Sequence, residues 1–175
     1  MNATPPQVPI IVTALMGDSD FGWANRLRRE HFPPERNHIP AHISLFHHLP
    51  PARLGELMAM LRDLASEPPP QARLTQPMLL GRGVAYRVES PELLTMREHI
   101  AAAFAHDLIP QDQGVPRLHI TVQNKVEPAM AKALHAQLLA EFRPRALSIA
   151  GLAAWHYLGG PWQLAGQIRF RGHRR

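Results

Sequence analysis

The alternation of apolar and polar residues picks out two short segments that are near copies of each other. Residues 41–45 are Ala-His-Ile-Ser-Leu, and residues 118–122 are Leu-His-Ile-Thr-Val. A strand has a side-chain period of two, so the histidine and the hydroxyl residue of each segment share one face of a predicted strand, roughly 6–7 Å apart. The apolar residues share the other face. The residues that this pattern singles out are His42 with Ser44 and His119 with Thr121.

The rest of the pattern predicts helices and further strands. Apolar residues at three- and four-residue spacing, together with start signals such as Ser90-Pro91, predict helices over residues 21–31, 51–66, 91–107 and 128–142. Shorter apolar or alternating runs predict strands over residues 9–15, 75–80 and 84–88, and a closing hairpin over residues 147–170 with its turn at Gly159-Gly160.

These elements occur in a repeated order. At an offset of 77 residues, the distance from His42 to His119, the predicted helices of the first half fall on predicted helices of the second half. The order strand, helix, loop, histidine strand, helix, strand therefore occurs twice. We expect a single bilobal domain over residues 1–175, with repeat halves at about 8–80 and 81–170 related by a pseudo-twofold axis. The proline-rich segment 67–71 is the expected connector between lobes.

Composition narrows the class of protein. The 175-residue chain is 45% hydrophobic, which suffices for one core, and no apolar run is long enough to predict a transmembrane helix. Residues 1–6 lack the basic start and apolar stretch of a secretory signal, and the absence of cysteine excludes disulfides and thiolate chemistry. These features favour a cytoplasmic protein. The net charge of +5 favours an anionic partner such as nucleic acid or a nucleotide, although only weakly.

Two lobes packed about such an axis would point His42 and His119 into one cleft from opposite sides. Two imidazoles around one reacting centre can divide phosphoester hydrolysis between them, one accepting a proton from the nucleophile and the other donating a proton to the leaving oxygen. The unperturbed pKa of histidine, near 6.5, suits both roles. The hydroxyls of Ser44 and Thr121 could donate hydrogen bonds to the non-bridging phosphate oxygens. Such a site requires no metal.

A metal site is the main alternative, because His47 and His48 follow closely on His42. Strand alternation places His47 on the opposite face from His42, and the strand rise puts His48 roughly 20 Å away. Neither motif has a carboxylate at ligand spacing, and there is no His-Glu-x-x-His helix. We therefore expect neither a metal nor another cofactor.

The paired motifs, His42-Ile43-Ser44-Leu45 and His119-Ile120-Thr121-Val122, resemble those of the two-histidine (2H) phosphoesterase superfamily, and within it the 2′-5′ RNA ligase-like group. The resemblance implies a bilobal α+β fold with antiparallel sheets lining a cleft. It also implies hydrolysis of 2′,3′-cyclic phosphates on RNA ends or small nucleotides, with reversible 2′-5′ RNA joining in some members. By this resemblance, His42 and His119 are the acid and the base in an order left open, and Ser44 and Thr121 bind phosphate.

Other residues near the motifs are weaker candidates for substrate contacts. Arg117 or Lys125 could contact a phosphate, and Phe46 or Tyr86 could stack on a base. The expected partner is an RNA terminus or a small cyclic nucleotide, bound by a monomer with no obligate protein partner and no membrane association. The alternative function is a non-catalytic RNA- or nucleotide-binding module that retains the cleft.

Overall fold

The computed structural model describes residue 4 and residues 6–174, so most of the N-terminal segment 1–6 lies outside the described residues. The strands are β1 Ile10–Met16, β2 Ile43–Leu49, β3 Ala72–Leu79, β4 Val84–Glu89, β5 His119–Gln123, β6 Arg145–Leu147, β7 Ile149–Tyr157 and β8 Trp162–Arg169. The helices are α1 Asp18–His31, α2 Leu54–Leu64, α3 Pro91–Ala103 and α4 Pro128–Glu141. Short 3₁₀ turns lie at Pro34–Arg36, Pro51–Arg53 and Pro110–Asp112.

The strands form two four-stranded antiparallel sheets. Sheet A has the order β2-β1-β7-β8, and sheet B has the order β5-β4-β3-β6. The strand that carries each histidine motif is therefore at the edge of its sheet, next to β1 in sheet A and next to β4 in sheet B. The predicted α+β fold, with two antiparallel sheets flanking a central cleft and a duplicated order of elements, is confirmed.

Each sheet contains strands from both halves of the sequence. β3 follows the helices of the first half but pairs with β4 in sheet B. β7 and β8 follow α4 but complete sheet A, where β7 pairs with β1. The proline-rich connector 67–71 is where the chain leaves α2 for β3. The surroundings of each motif strand are consequently built from both halves of the chain.

The closing hairpin differs from the prediction at its start. The sequence pattern predicts it from residue 147, but Arg145–Leu147 is a separate strand, β6, which pairs with β3 in sheet B. The hairpin of β7 and β8 begins at Ile149 in sheet A. The chain changes sheets at Ser148, whose N–H donates to Asp20 Oδ2 at 2.8 Å and whose carbonyl accepts from Gly17 N at 3.0 Å. Residues at the start of α1 therefore provide hydrogen-bond partners for the main chain of Ser148, where the chain passes from one sheet to the other.

Helices pack on the outer faces of the sheets. Each helix that precedes a motif strand packs against the motif strand of the other sheet. α1 leads into β2 of sheet A, yet it packs against β5 of sheet B, and Trp23 of α1 contacts Tyr86 of β4. α3 leads into β5 of sheet B, yet Arg97 of α3 lies over Phe46 of β2 in sheet A. Among the described residues, none of the helices combines the length and the apolar character needed to cross a bilayer.

α3 ends at Ala103, four residues before the predicted end. Arg53 holds this end, since its guanidinium lies 3.9 Å over the Phe104 ring and its Nη2 donates to the carbonyl of Ala103 at 2.9 Å. A basic group at a helix C-terminus satisfies carbonyls that have no partner inside the helix. Arg53 also pairs with Asp107, so the residues beyond the helix end turn back toward the short turn before α2.

Ser90 caps the N-terminus of α3, and its replacement tests how much that cap contributes to stability. Its buried hydroxyl accepts from Leu93 N at 3.2 Å and donates to the carbonyl of Gln71 at 2.6 Å. Replacing Ser90 by Ala removes the cap and leaves that carbonyl unpaired, so we expect a loss of about 1–2 kcal/mol in the free energy of unfolding, measured in urea. Ser66→Ala, at an exposed hydroxyl after α2, is the control and should cost less than about 0.5 kcal/mol. Equal losses would contradict the capping role.

Candidate functional site

The two histidine motifs meet where the edge strands β2 and β5 contact each other. His42 immediately precedes β2, and His119 is the first residue of β5. Both imidazoles are partly exposed, and His119 is near enough for its charge to lower the pKa of His42. Ser44 and Thr121 are also partly exposed, two residues further along each strand. The structure therefore brings the four motif residues to one place.

A main-chain carbonyl fixes each imidazole in the same way. His42 Nδ1 lies 2.9 Å from the carbonyl oxygen of Pro40, and His119 Nδ1 lies 2.7 Å from that of Arg117. A carbonyl can only accept, so Nδ1 carries the proton in each ring. The neutral ring then has its lone pair on Nε2, which is the nitrogen left to exchange a proton with a ligand. The local peptide two residues before each histidine thus sets both the orientation and the tautomer.

Enclosure by neighbouring side chains makes His42 a weak base. The Trp162 ring of β8 packs against it, with ring centroids 4.7 Å apart and planes inclined by 58°. Burial lowers the pKa of His42 to about 4, and the positive charges of Arg28 and His119 act in the same direction, against the hydrogen bond to Pro40. His42 is therefore neutral at pH 7, with its Nε2 lone pair available.

A cavity of about 310 Å³ opens beside His42 on sheet A. Aromatic side chains form part of its lining, with Trp155 and Trp162 centroids 6.1 Å apart and Phe21 of α1 also in the wall. Trp155 is oriented by its Nε1, which donates to Thr13 Oγ1 at 2.9 Å. Polar groups also line the cavity, namely Asp18, His38, Gln167 and Arg169. This mixture of aromatic faces and a few polar groups is typical of a small-molecule site.

The surroundings of His119 are basic rather than aromatic. Arg87 of β4 is its direct cross-strand partner, and such partners have Cβ atoms about 5 Å apart. Arg87 is exposed and makes a loose ion pair with Glu89 at 3.6 Å. Arg117 is exposed, two residues ahead of His119. The two sides of the cleft therefore share histidines and hydroxyls but differ in the groups around them.

Two of the predicted substrate contacts do not fit their positions in the structure. Phe46 is fully buried because a β-bulge at Leu45 turns it to the core face, where alternation from Ser44 would have placed it in the cleft. Tyr86 is also buried, since its register partner is Ile120 and its ring packs between Trp23 and Phe142. Neither ring has an exposed face on which a base could stack.

The other two predicted contacts remain on the surface. Arg117 lies in the cleft region, two residues before His119. Lys125 is exposed in the turn after β5, with φ of 64°, at the end of the strand away from His119. The structure thus places Arg117, but not Lys125, beside the motif histidines.

The two histidines that follow closely on His42 are in a segment bound by Asp112. His47 and His48 lie within β2, and both of their main-chain N–H groups donate to the buried carboxylate of Asp112, which also lies 2.9 Å from His47 Nδ1. Burial acts to raise the pKa of Asp112, but these hydrogen bonds outweigh it and hold the pKa below its usual value. Within residues 4 and 6–174, no three His, Asp or Glu side chains are grouped in a way that could hold a metal ion.

Several residues of the site are absent from the sequence prediction. Trp162 reaches His42 by packing from β8, and Arg87 reaches His119 through strand pairing. Asp112 reaches β2 from a loop 64 residues further along the chain. The sequence pattern places the tryptophans in the closing hairpin, but no local signal connects that hairpin to His42. Arg87 could be identified only from the register in which β4 pairs with β5.

Comparison with known proteins identifies the family. The model of the 2′-5′ RNA ligase superfamily matches residues 17–161, and the chain belongs to this superfamily of 2H phosphoesterases. Among curated protein sequences, no match is found.

Solved structures show the same fold at low sequence identity. TT0787 of Thermus thermophilus is 17% identical with a TM-score of 0.66, covering 95% of this chain and 100% of its own. E. coli LigT complexed with NADP+ is 13% identical with a TM-score of 0.58, covering 95% and 99%. E. coli LigT complexed with 3′-AMP is 14% identical with a TM-score of 0.55, covering 94% and 99%.

The enclosure of His42 can be measured directly. An NMR titration of the imidazole resonances should give a pKa of about 4 for His42 in the wild-type protein. Trp162→Ala admits water to the ring and should raise this pKa toward 6.5. Gln163→Ala, on the opposite face of β8 and exposed, should leave the pKa unchanged. A wild-type value near 6.5 would contradict the enclosure.

Proposed function

We propose that the protein is a metal-independent phosphoesterase that hydrolyses a 2′,3′-cyclic phosphate on an RNA end or a small nucleotide. The observation that carries this proposal is the pair of imidazoles at the meeting point of β2 and β5, each held through Nδ1 by a local carbonyl. Membership of the 2′-5′ RNA ligase superfamily supports the same chemistry. His42 and His119 are proposed as the catalytic residues.

We assign the base and the acid from the different surroundings of the two histidines. His42, enclosed by Trp162 and neutral, takes a proton from water through Nε2 as the water oxygen attacks phosphorus. The bond from phosphorus to one ribose oxygen breaks, and His119 gives the proton on its Nε2 to that oxygen. The products are a phosphate monoester and a ribose hydroxyl. Solvent then returns the two histidines to their starting protonation states.

The phosphate is held by groups from both sides of the cleft. Ser44 and Thr121 are proposed to donate their hydroxyl hydrogens to non-bridging oxygens, one from each motif strand. Both residues are partly exposed. Arg87 and Arg117 add positive charge next to His119, which complements the negative charge of a phosphate.

The cavity beside His42 is proposed to hold the nucleobase. Its volume of about 310 Å³ is sufficient for a base with its ribose, and Trp155 and Trp162 offer aromatic faces for stacking. Structures of E. coli LigT, which has the same fold, contain 3′-AMP, NADP+ and ATP. A substrate with a base is therefore favoured over a simple phosphodiester.

The same groups would serve RNA joining. If a 5′-hydroxyl replaces water as the nucleophile, attack on the cyclic phosphate forms a phosphodiester and releases one ribose hydroxyl. A 2′-5′ linkage results when the bond to the 3′-oxygen breaks. Because water is in large excess, we propose hydrolysis as the principal reaction of the isolated protein.

The catalytic proposal is tested by turnover of a 2′,3′-cyclic nucleotide in EDTA. We expect wild-type hydrolysis, with kcat reduced by roughly 10²–10⁴-fold in His42→Ala and in His119→Ala, because each removes one proton-transfer group. The product can be followed by ³¹P NMR, which distinguishes the cyclic ester from the monoester. His99→Ala, at an exposed position on α3, is the matched control and should retain wild-type activity.

The same experiment separates the proposal from its alternatives. Binding of the cyclic nucleotide without turnover would support the non-catalytic module instead of the enzyme. Loss of wild-type turnover in EDTA would contradict the metal-independent mechanism. Full activity in either histidine variant would remove that histidine from the catalytic residues.

The base-binding role of the cavity gives a separate prediction. Trp162→Leu should raise KM for a 2′,3′-cyclic nucleotide by about 10-fold, since stacking on an aromatic side chain contributes roughly 1–3 kcal/mol. It should leave KM unchanged for the methyl riboside 2′,3′-cyclic phosphate, which has no base. Gln163→Ala is again the control. Equal effects on both substrates would show that Trp162 does not contact the base.

A further inference from the structure

Two buried arginines beneath the cleft are not used by the proposed mechanism. Arg28 of α1 and Arg97 of α3 are each only 3% exposed. Their hydrogen bonds within the described residues go to main-chain carbonyls and to one amide oxygen, and neither forms an ion pair with a carboxylate there. Burial removes water from the Arg28 guanidinium and lowers its pKa to about 10.

Stability alone is a weak reason for this arrangement. Moving a charged group out of water is costly, and apolar side chains of similar volume often replace buried charges without loss of stability. Both guanidinium groups do pack on aromatic rings, Arg28 at 4.3 Å over Phe32 and Arg97 at 4.4 Å over Phe46. A leucine or methionine could also cover those rings. Such a replacement would lose the hydrogen bonds that the planar guanidinium donates in fixed directions.

The hydrogen bonds of Arg28 link the loop before one histidine to the strand of the other. Its Nε donates to Asn37 Oδ1 at 3.0 Å, in the loop that leads to His42. Its Nη1 donates to the carbonyl of Thr121 at 2.9 Å, two residues after His119 in β5. One planar side chain thus connects the approach to His42 with the strand that carries His119.

Arg97 makes the reciprocal connection. Its Nε donates to the carbonyl of Leu45 at 2.8 Å, three residues after His42 in β2. Its Nη1 donates to the carbonyl of Gly114 at 3.0 Å, and its Nη2 donates to that of Asp112, both in the loop that leads to His119. The two arginines are therefore related by the same approximate twofold as the histidine motifs.

We propose that Arg28 and Arg97 are positioning residues that set the separation between His42 and His119, each tying the loop before one histidine to the strand of the other. The proposal rests on the proposed function, since the separation matters for proton transfer on both sides of one phosphate. A displacement of about 1 Å in such a site can cost as much as 10²-fold in rate. Lysine cannot substitute, because its single ammonium lacks the planar fork that bridges two acceptors.

The test is steady-state kinetics of Arg28→Lys and Arg97→Lys on a 2′,3′-cyclic nucleotide. We expect kcat to fall by about 10–100-fold in each, with KM within a few-fold of wild type, because the substrate contacts are unchanged. Asn37→Ala removes only one partner of Arg28 and should lower kcat by a smaller factor. It serves as the second variant if an arginine substitution prevents folding.

The control is Arg53→Met. Arg53 also stacks on a buried phenylalanine and bonds across elements, but its contacts are with the end of α3 and with Glu56, not with a motif strand. We expect it to lower the melting temperature and to leave the kcat of the folded protein unchanged. If Arg28→Lys and Arg97→Lys behave in the same way, their role is structural and the positioning proposal is overturned.

The pH profile distinguishes the two arginines. The charge of Arg28 lowers the pKa of His42, so Arg28→Met should move the acidic limb of kcat/KM to higher pH, while Arg28→Lys should not. Arg97 is not among the charges that act on His42, so Arg97→Met should lower kcat with the acidic limb in place. Methylguanidinium at a non-denaturing concentration should restore activity to Arg28→Ala and should leave the kcat of Arg53→Ala unchanged.

A structural measurement keeps the proposal testable if the wild-type protein proves inactive. Crystal structures of the wild type and of Arg28→Lys give the distance between the Nε2 atoms of His42 and His119. A change of about 1 Å or more supports positioning, and an unchanged distance overturns it. Failure of the proposed function would instead appear as an inactive wild-type protein whose histidine separation still responds to the arginine substitutions.

Discussion

The exchange of strands between the two halves is the constraint on which the site depends. β3 completes sheet B, and the hairpin of β7 and β8 completes sheet A, so neither sheet is built from one half of the sequence alone. This interlocking holds β2 and β5 as facing edge strands. It also brings α1 and α3 beneath the motif strand of the opposite half. A cleft built between independently folded lobes could open as the lobes moved, whereas here both walls contain strands from both halves.

The approximate twofold symmetry relates the two histidines and the two buried arginines, but not the side chains next to each imidazole. Both histidines have the same tautomer because both obey the same local hydrogen bond to a carbonyl two residues earlier. Their surroundings then diverge, with Trp162 against His42 and Arg87 across from His119. The two halves supply two equivalent imidazoles, the proposed proton-transfer groups, and the unlike neighbours give each a different chemical environment. The proposed substrate, with a base on one side of the phosphate, has the same kind of asymmetry.

Much of this arrangement can be predicted from sequence because it is local. Period-two alternation places His42 with Ser44 and His119 with Thr121, and the repeated order of elements indicates two related halves. Phe46 shows where this reasoning stops, since the bulge at Leu45 interrupts the alternation and turns Phe46 to the core face. Tyr86 and Arg87 are neighbours that face opposite ways, and only the register with β5 decides which one reaches the cleft. Trp162, Arg28 and Arg97 depend on packing between distant elements, which no local pattern encodes.

The distribution of tryptophans has an optical consequence. Two of the three indoles, Trp155 and Trp162, line the cavity beside His42, while Trp23 lies elsewhere, against Tyr86 and beneath the guanidinium of Arg145. The intrinsic emission of the unlabelled protein therefore combines a signal from the cavity with a signal from the packing of α1 on sheet B. A protein in which Trp23 is replaced by Phe would report the occupancy of the cavity alone, without any attached dye.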